Sequence, residues 1–283
     1  MQRFLNNRQA FQRKITKLAI VLSVATKRWS LLSLGIFGLS ISGMCQKSVI
    51  TPPSSHFSGE VTLTNNGISL IPTFTLNKPA VIVDLALGKG RLSFEPEFSF
   101  GLDGKPWNFL FWWRYKIAED SRFKLNIGVH PAFAFRTASF TTNGVSQEYT
   151  VAQRYLAGEI VPSYSLSSHV SIGIYYLYSM GLTRDATASN HFLTLNASFD
   201  NLALGPVYRV SFTPQVYYLN LAGTDGFYIT HTLALTRKDF PLSLTSTLNK
   251  ALHTHVDPKQ DFVWNVAIIY SFSNNYVKVK KEN

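Results

Sequence analysis

The amino-acid sequence predicts an all-β fold, an antiparallel transmembrane β-barrel of about twelve strands. Three observations predict it. Between Ile68 and Phe272 one unit recurs about twelve times, a segment with alternate apolar residues followed by a turn. No stretch shows sustained helical periodicity. The connections between segments alternate in length, short ones after even-numbered segments and the longest after odd-numbered ones.

Residues 1–45 are expected to be a secretory signal peptide. They hold seven of the 27 basic residues and no acid. The apolar run Leu31–Ile41 would span only about 16 Å as a helix, against a hydrocarbon core of ~30 Å, too short for an anchor. Gly43 and Cys45 sit at the −3 and −1 positions of a cut before Gln46. Cys45 is the single cysteine, so a chain cut there has no thiol, which excludes disulfides and thiol catalysis. With the leader set aside, most of the +11 charge goes with it, and nucleic acid is excluded as a partner.

Residues 46–66, rich in Ser, Thr, Pro and Asn, read as a periplasmic lead-in. The barrel is expected over 67–272, with strands near 67–76, 78–87, 90–101, 106–118, 121–136, 150–164, 168–180, 189–200, 206–220, 226–237, 240–250 and 260–272. Most reach the ~9–11 residues that a tilted strand needs to cross a bilayer. Tight turns fall at Gly88-Lys89, Glu119-Asp120, 165–167, 201–205 and Lys238-Asp239, and long loops at 137–149, 181–188 and 251–259. Residues 273–283 form a C-terminal tail.

The faces are consistent from strand to strand. In the last strand Phe262, Trp264, Val266, Ile268, Tyr270 and Phe272 share one face, opposite small or polar residues. The fourth strand puts Trp107, Phe109, Phe111, Trp113, Tyr115 and Ile117 on one face, and the seventh Val170, Ile172, Ile174, Tyr176, Tyr178 and Met180. Trp107, Tyr115, Tyr164, Tyr178, Trp264 and Tyr270, near strand ends, fit aromatic girdles at two lipid–water interfaces. A soluble sandwich is the rival fold, but it would have to match this aromatic face to a second sheet. His231, among Phe227, Ile229, Leu233 and Leu235, breaks the pattern.

With its signal, strand pattern and final aromatic Phe272, the chain resembles Gram-negative outer-membrane β-barrel proteins over most of its mature length. Phe272 looks like the signal that their assembly machinery reads, although eleven residues follow it here. The resemblance implies Sec-type export, insertion into the outer membrane, and outer-membrane lipid and the barrel-assembly machinery as partners. It implies no cofactor, and fold by itself assigns no function.

Charged residues on inward positions are the candidate site: Asp84, Glu95, Glu97 and Glu159, with Arg91, Arg114, Lys116, Lys124, Arg136 and Arg209. They read either as a constriction that selects small solutes or as ion pairs bracing the wall. The balance of bases and acids leaves the preferred sign open. Glu95 and Glu97 lie ~6–7 Å apart along a strand, a spacing used by paired catalytic carboxylates, but bases flank them and no cleft is evident. His169 and Ser171 resemble the His-x-Ser pair of outer-membrane lipid A deacylases, yet point away from the lipid face. His253, His255 and Asp257 share one side of an extended segment and suit a transition metal. No catalytic residue and no enzymatic activity are expected. The reading is a narrow passive channel or solute-binding barrel, with a non-conducting interaction barrel as the alternative and a lipid hydrolase as a third.

Overall fold

The computed structural model describes residues 55–142, 145–257 and 259–276. The signal peptide expected at 1–45, Cys45 within it, and the tail past 276 lie outside the described residues. Twelve strands follow in order: β1 (Ser55–Thr64), β2 (Ala80–Lys89), β3 (Leu92–Gly101), β4 (Pro106–Glu119), β5 (Phe123–Thr142), β6 (Val145–Ser165), β7 (Val170–Gly181), β8 (Ser189–Leu204), β9 (Tyr208–Leu221), β10 (Thr224–Arg237), β11 (Leu242–Thr254) and β12 (Phe262–Tyr276). Each pairs antiparallel with its sequence neighbours, and β1 closes on β12 from Ser55↔Tyr276 to Thr64↔Ala267. The sheet has no edge strand, as lipid requires.

Eleven strands fall where periodicity placed them. The first does not. Residues 55–64, expected within the lead-in, are β1, and 67–76 are not in the wall. The alternation is present in β1, with Phe57, Val61 and Leu63 against His56, Ser58, Glu60, Thr62 and Thr64. Gly59 interrupts it, and the ring of Phe272 lies where a Cβ at Gly59 would be, 2.6 Å away, so the neighbouring aromatic covers the bare backbone. The expected long loop at 137–149 is also strand: β5 and β6 stay paired out to Thr142↔Val145. β12 runs past Phe272 to Tyr276, so the first residues of the expected tail belong to the wall.

The outer surface is apolar. Trp113, Tyr115 and Ile117 on β4, Ile172 and Ile174 on β7, and Trp264, Val266, Ile268 and Tyr270 on β12 are all exposed. In water such a surface would be untenable on a monomer, and in a bilayer it is the solvated face. Trp107 departs from its expected place in the girdle. Ser99 pairs with Asn108 but Phe100 with Pro106, so Trp107 is the extra residue of a bulge and turns inward, 9% exposed, against Gly67. His231 stays on the outer face beside Phe212, ring centroids 5.8 Å apart.

The core sits in the lumen. Inward side chains of β4 to β10 (Trp112, Leu177, Phe192, Tyr217, Leu219 and Tyr228 among them) pack together with Ile71 and Val256. Ile71 belongs to the connection from Asn65 to Pro79, which turns into the barrel as a short hairpin. Ile68 bridges Thr75, and Ser69 N donates to Phe74 O at 3.0 Å. Its base is tied to β12: Val266 N donates to Asn65 Oδ1 at 2.7 Å and Asn66 Nδ2 to Trp264 O at 3.2 Å. The expectation of a polar inward face thus fails across the middle of the barrel. Side chains and the hairpin fill a lumen of this size instead of leaving it wet.

Candidate functional site

The hairpin divides the lumen into two cavities. The lower one, ≈570 Å³, lies toward the end that carries the chain termini; the upper, ≈640 Å³, opens toward the other end. Leu70 at the hairpin tip and Glu97 on β3 line both, and mark where one space would pass into the other.

The lower cavity is built from cross-strand rows on β1, β2 and β3. Glu60 is the direct partner of Asp84, and Asp84 of Glu97, so three carboxylates stand side by side on inward positions. Glu95 is the next inward residue along β3. Ser99 Oγ donates to Glu97 Oε1 at 3.0 Å, Ser93 Oγ to Glu95 Oε1 at 2.5 Å, and Ser271 Oγ to Glu60 Oε1 at 3.1 Å. Like charges directly opposite one another cost stability unless something positive lies between them. Among the described residues lining this cavity, Arg114 is the one base.

Arg114 is already engaged. Its Nε donates to Glu159 Oε1 at 2.6 Å, its Nη1 pairs with Glu95 Oε2, and its guanidinium lies over the Trp112 ring, 4.3 Å from the centroid. Glu159 is the buried member, its side chain 1% exposed, and Tyr175 OH donates to its Oε2 at 2.6 Å. Gly128, directly opposite Glu159 on β5, leaves room for it: a Cβ there would lie 2.6 Å from Oε1. The single positive charge of Arg114 bridges Glu95 and Glu159, and Glu60, Asp84 and Glu97 are left without a base.

No family model matches this chain, and no curated protein sequence does. Among solved structures, a KdgM porin superposes at a TM-score of 0.47 with 12% identity, covering 76% of this chain and 99% of that one. A NanC porin gives 0.45 with 11% identity, over 78% of this chain and 100% of that one. The β domain of the Bordetella autotransporter BrkA gives 0.44 with 9% identity, over 77% and 98%. The likeness is one of architecture.

The structure brings Asp84, Glu95, Glu97, Arg114 and Glu159 together. It leaves the other inward bases elsewhere. Arg91 sits in the β2–β3 turn and donates to Ile117 O at 3.2 Å; Lys116 pairs with Glu119 at 2.9 Å; Lys124 is exposed at the same rim. Arg209 Nη1 donates to Gly205 O and Tyr208 O at that end. Arg136 lines the upper cavity, three inward positions beyond His130 on β5, roughly 20 Å away along the strand. Strand parity told which face each occupies but not how high it stands. Glu60 joins the row from β1, a strand whose apolar alternation Gly59 interrupts.

The expected metal trio does not converge. The rings of His253 and His255 meet edge to face at 4.6 Å, while His255 Nδ1 turns toward Asp225 Oδ1 at 3.6 Å. Val256, 2% exposed, tucks into the lumen, and Asp257 lines the upper cavity. Among the described residues no three such groups gather as a metal site. His169 is exposed in the β6–β7 turn, its Nδ1 3.0 Å from Asp200 O. Phe272 is internal to its strand; Tyr276, on the same face and exposed, closes it.

Proposed function

We propose that this protein is an outer-membrane barrel that works as a narrow passive channel, favours small cations, and is closed by the β1–β2 hairpin in the conformation described. Its work is passage rather than covalent chemistry. Outer-membrane lipid covers the apolar wall, and the barrel-assembly machinery inserts it. The observation that carries the reading is the lumen itself: two cavities on either side of a hairpin tip, the lower lined by Glu60, Asp84, Glu95 and Glu97 against Arg114. Rings of carboxylates select cations in pores, and an ionised inward carboxylate left without a base raises the local cation concentration. The hairpin is held by the burial of Ile71, with Phe74 packed beside it, and by the Asn65 and Asn66 ties to β12, so the full chain spends most of its time closed and the channel opens only when these contacts are released.

The filled lumen favours a second reading, a non-conducting barrel that presents the projecting β5–β6 hairpin to a partner. Planar-bilayer recording separates them. Replacing Ser69–Phe74 by Asn-Gly keeps the Ile68–Thr75 bridge on a tight turn and removes the tip. The shortened barrel is expected to conduct at least several-fold more than the full chain, with a reversal potential for cations across a KCl gradient. If the shortened barrel is silent over many insertions, the channel reading is wrong. If it passes anions better, the carboxylate row is not the filter.

A further inference from the structure

The upper cavity carries a feature that passage of ions does not use. His130, Ala157, Ser179, Asn190 and Leu221 are successive cross-strand partners on β5 to β9, so they form one continuous row around the wall, and all five line this cavity. The two small residues in the middle leave a trough. Its two polar ends, His130 and Asn190, are 4% and 8% exposed and stand three strand spacings apart, roughly 14 Å along the wall. The same cavity is lined by Ile71 and Phe74 of the hairpin and by Leu110, Ala132 and Leu177, with Thr73, Asp257 and Gln260 among its polar residues.

Both ends are short of a partner. Asn190 Nδ2 donates to Ser179 Oγ at 2.7 Å, but its Oδ1 finds no donor among the described residues, and neither does His130 Nδ1 find a partner. The His130 ring packs tilted against Trp112, centroids 3.8 Å apart. A buried polar atom left unpaired is costly, and an acceptor, Asn190 Oδ1, with an unpaired ring nitrogen on the same row calls for a molecule that donates to the first and meets the second with a polar group.

We propose that this trough binds a small, mostly apolar, ring-sized molecule carrying hydrogen-bond donors, of the phenol or aromatic-amine class. A hydroxyl or amino group donates to Asn190 Oδ1, the ring lies over Ala157 and Ser179 against Ile71 and Phe74, and a second polar substituent meets His130 Nδ1. A sugar would leave several hydroxyls unpaired against Ile71, Phe74, Leu110 and Leu177. A pure hydrocarbon would leave Asn190 Oδ1 unpaired. The cavity volume is within the range of small-molecule sites. The site does not require the barrel to conduct.

The test uses the refolded full barrel in lipid nanodiscs, titrated with p-cresol and, separately, toluene, and followed by ligand-observed NMR or calorimetry. Ala157→Phe, which fills the trough, serves to subtract partition into lipid; Ala157→Leu takes its place should the first variant not fold by heat-modifiable gel migration. Expected are saturable p-cresol binding lost on filling the trough, toluene at least tenfold weaker, and Asn190→Leu reducing p-cresol to the level of toluene. Equal affinity for cresol and toluene would overturn the polar recognition. Uptake that is the same with the trough filled would overturn the site and leave ordered water as its occupant. Binding by the full barrel together with a silent shortened barrel leaves this site standing and removes the channel reading; a conducting shortened barrel with no binding by the full one does the reverse.

Discussion

Arg114→Met is expected to cost about 3 kcal/mol of barrel stability. The figure follows from unequal burial in the network. Arg114 and Glu95 keep 29% and 28% of their side-chain surface, so the Glu95 pair is screened and contributes little. Glu159 keeps 1%, and losing its cation leaves a buried charge, a loss of roughly 3–5 kcal/mol in other proteins. The Tyr175 hydroxyl still donates to it, which places the cost at the lower end. Glu159→Gln should cost less, about 1–2 kcal/mol, because no charge is stranded and Arg114 keeps Glu95. The double variant should then lose at least 1 kcal/mol less than the sum of the two. Urea unfolding of the barrel refolded into lipid vesicles, at unchanged m value, measures all three. If Arg114→Met lies within about 0.5 kcal/mol of the parent, or the pair is additive within that margin, the network is not what holds Glu159 in the wall.

Gly128→Ala places a methyl group 2.6 Å from Glu159 Oε1, and should destabilise the barrel by about 1–3 kcal/mol through displacement of that carboxylate; the same unfolding assay reads it. Ala222 holds φ +49° beside Gly223 at φ +97° in the β9–β10 turn, so Ala222→Asn should stabilise by roughly 0.5–1 kcal/mol, while Ala222→Val should do the reverse. Asp103, in the β3–β4 loop outside the membrane, accepts from Lys78 Nζ at 2.6 Å and from Lys105 N at 3.2 Å, which holds its pKa below the ordinary value of 3.8. A lowered carboxylate pKa means that the tie is fully present above the unfolded value and is lost as pH falls through the folded one. The Asp103 carboxyl resonance should therefore titrate below the usual carboxylate midpoint, and return toward it in Lys78→Ala; a midpoint that Lys78→Ala leaves unmoved would refute the assignment.

How much of this was legible in the sequence depends on what each signal encodes. Alternation encodes a face, and it placed eleven strands and the lipid side of the barrel. It failed at β1, where Gly59 removes the apolar residue from an outward position and the ring that replaces it, Phe272, comes from the other end of the sheet. It failed at Trp107, where a bulge shifts parity by one residue. Of the candidate site, the pairing of Arg114 with Glu95 and Glu159 was within reach, because all three fall on inward positions near mid-strand. The rim bases were misplaced in height, since parity says nothing about distance from the strand end. Spacing puts His253, His255 and Asp257 on one side, but it cannot show that His255 turns to Asp225, a residue of another strand, while Asp257 lines the upper cavity.

The filled lumen and the inserted hairpin are one feature with two sequence signatures. On β7 to β10 the inward positions hold Tyr175, Leu177, Phe192, Tyr217, Leu219 and Tyr228, so these strands are apolar on both faces over short runs such as 174–178 and 216–219. Double-sided apolar runs mark a strand buried from both sides, which in a lipid barrel demands something apolar within. The segment 65–79 supplies it. Ile68, Leu70, Ile71, Phe74 and Leu76 would lie in water if the loop stood outside, and they suit neither a lead-in nor an exposed connection. Each half of the feature is unfavourable without the other, since an apolar lumen without the hairpin would be a dewetted void and the hairpin without that wall an exposed greasy loop. That mutual dependence predicts their behaviour as a pair. Opening the barrel by moving the hairpin must expose both surfaces to water at once, or to a solute apolar enough to take the hairpin's place against Leu177 and Phe192.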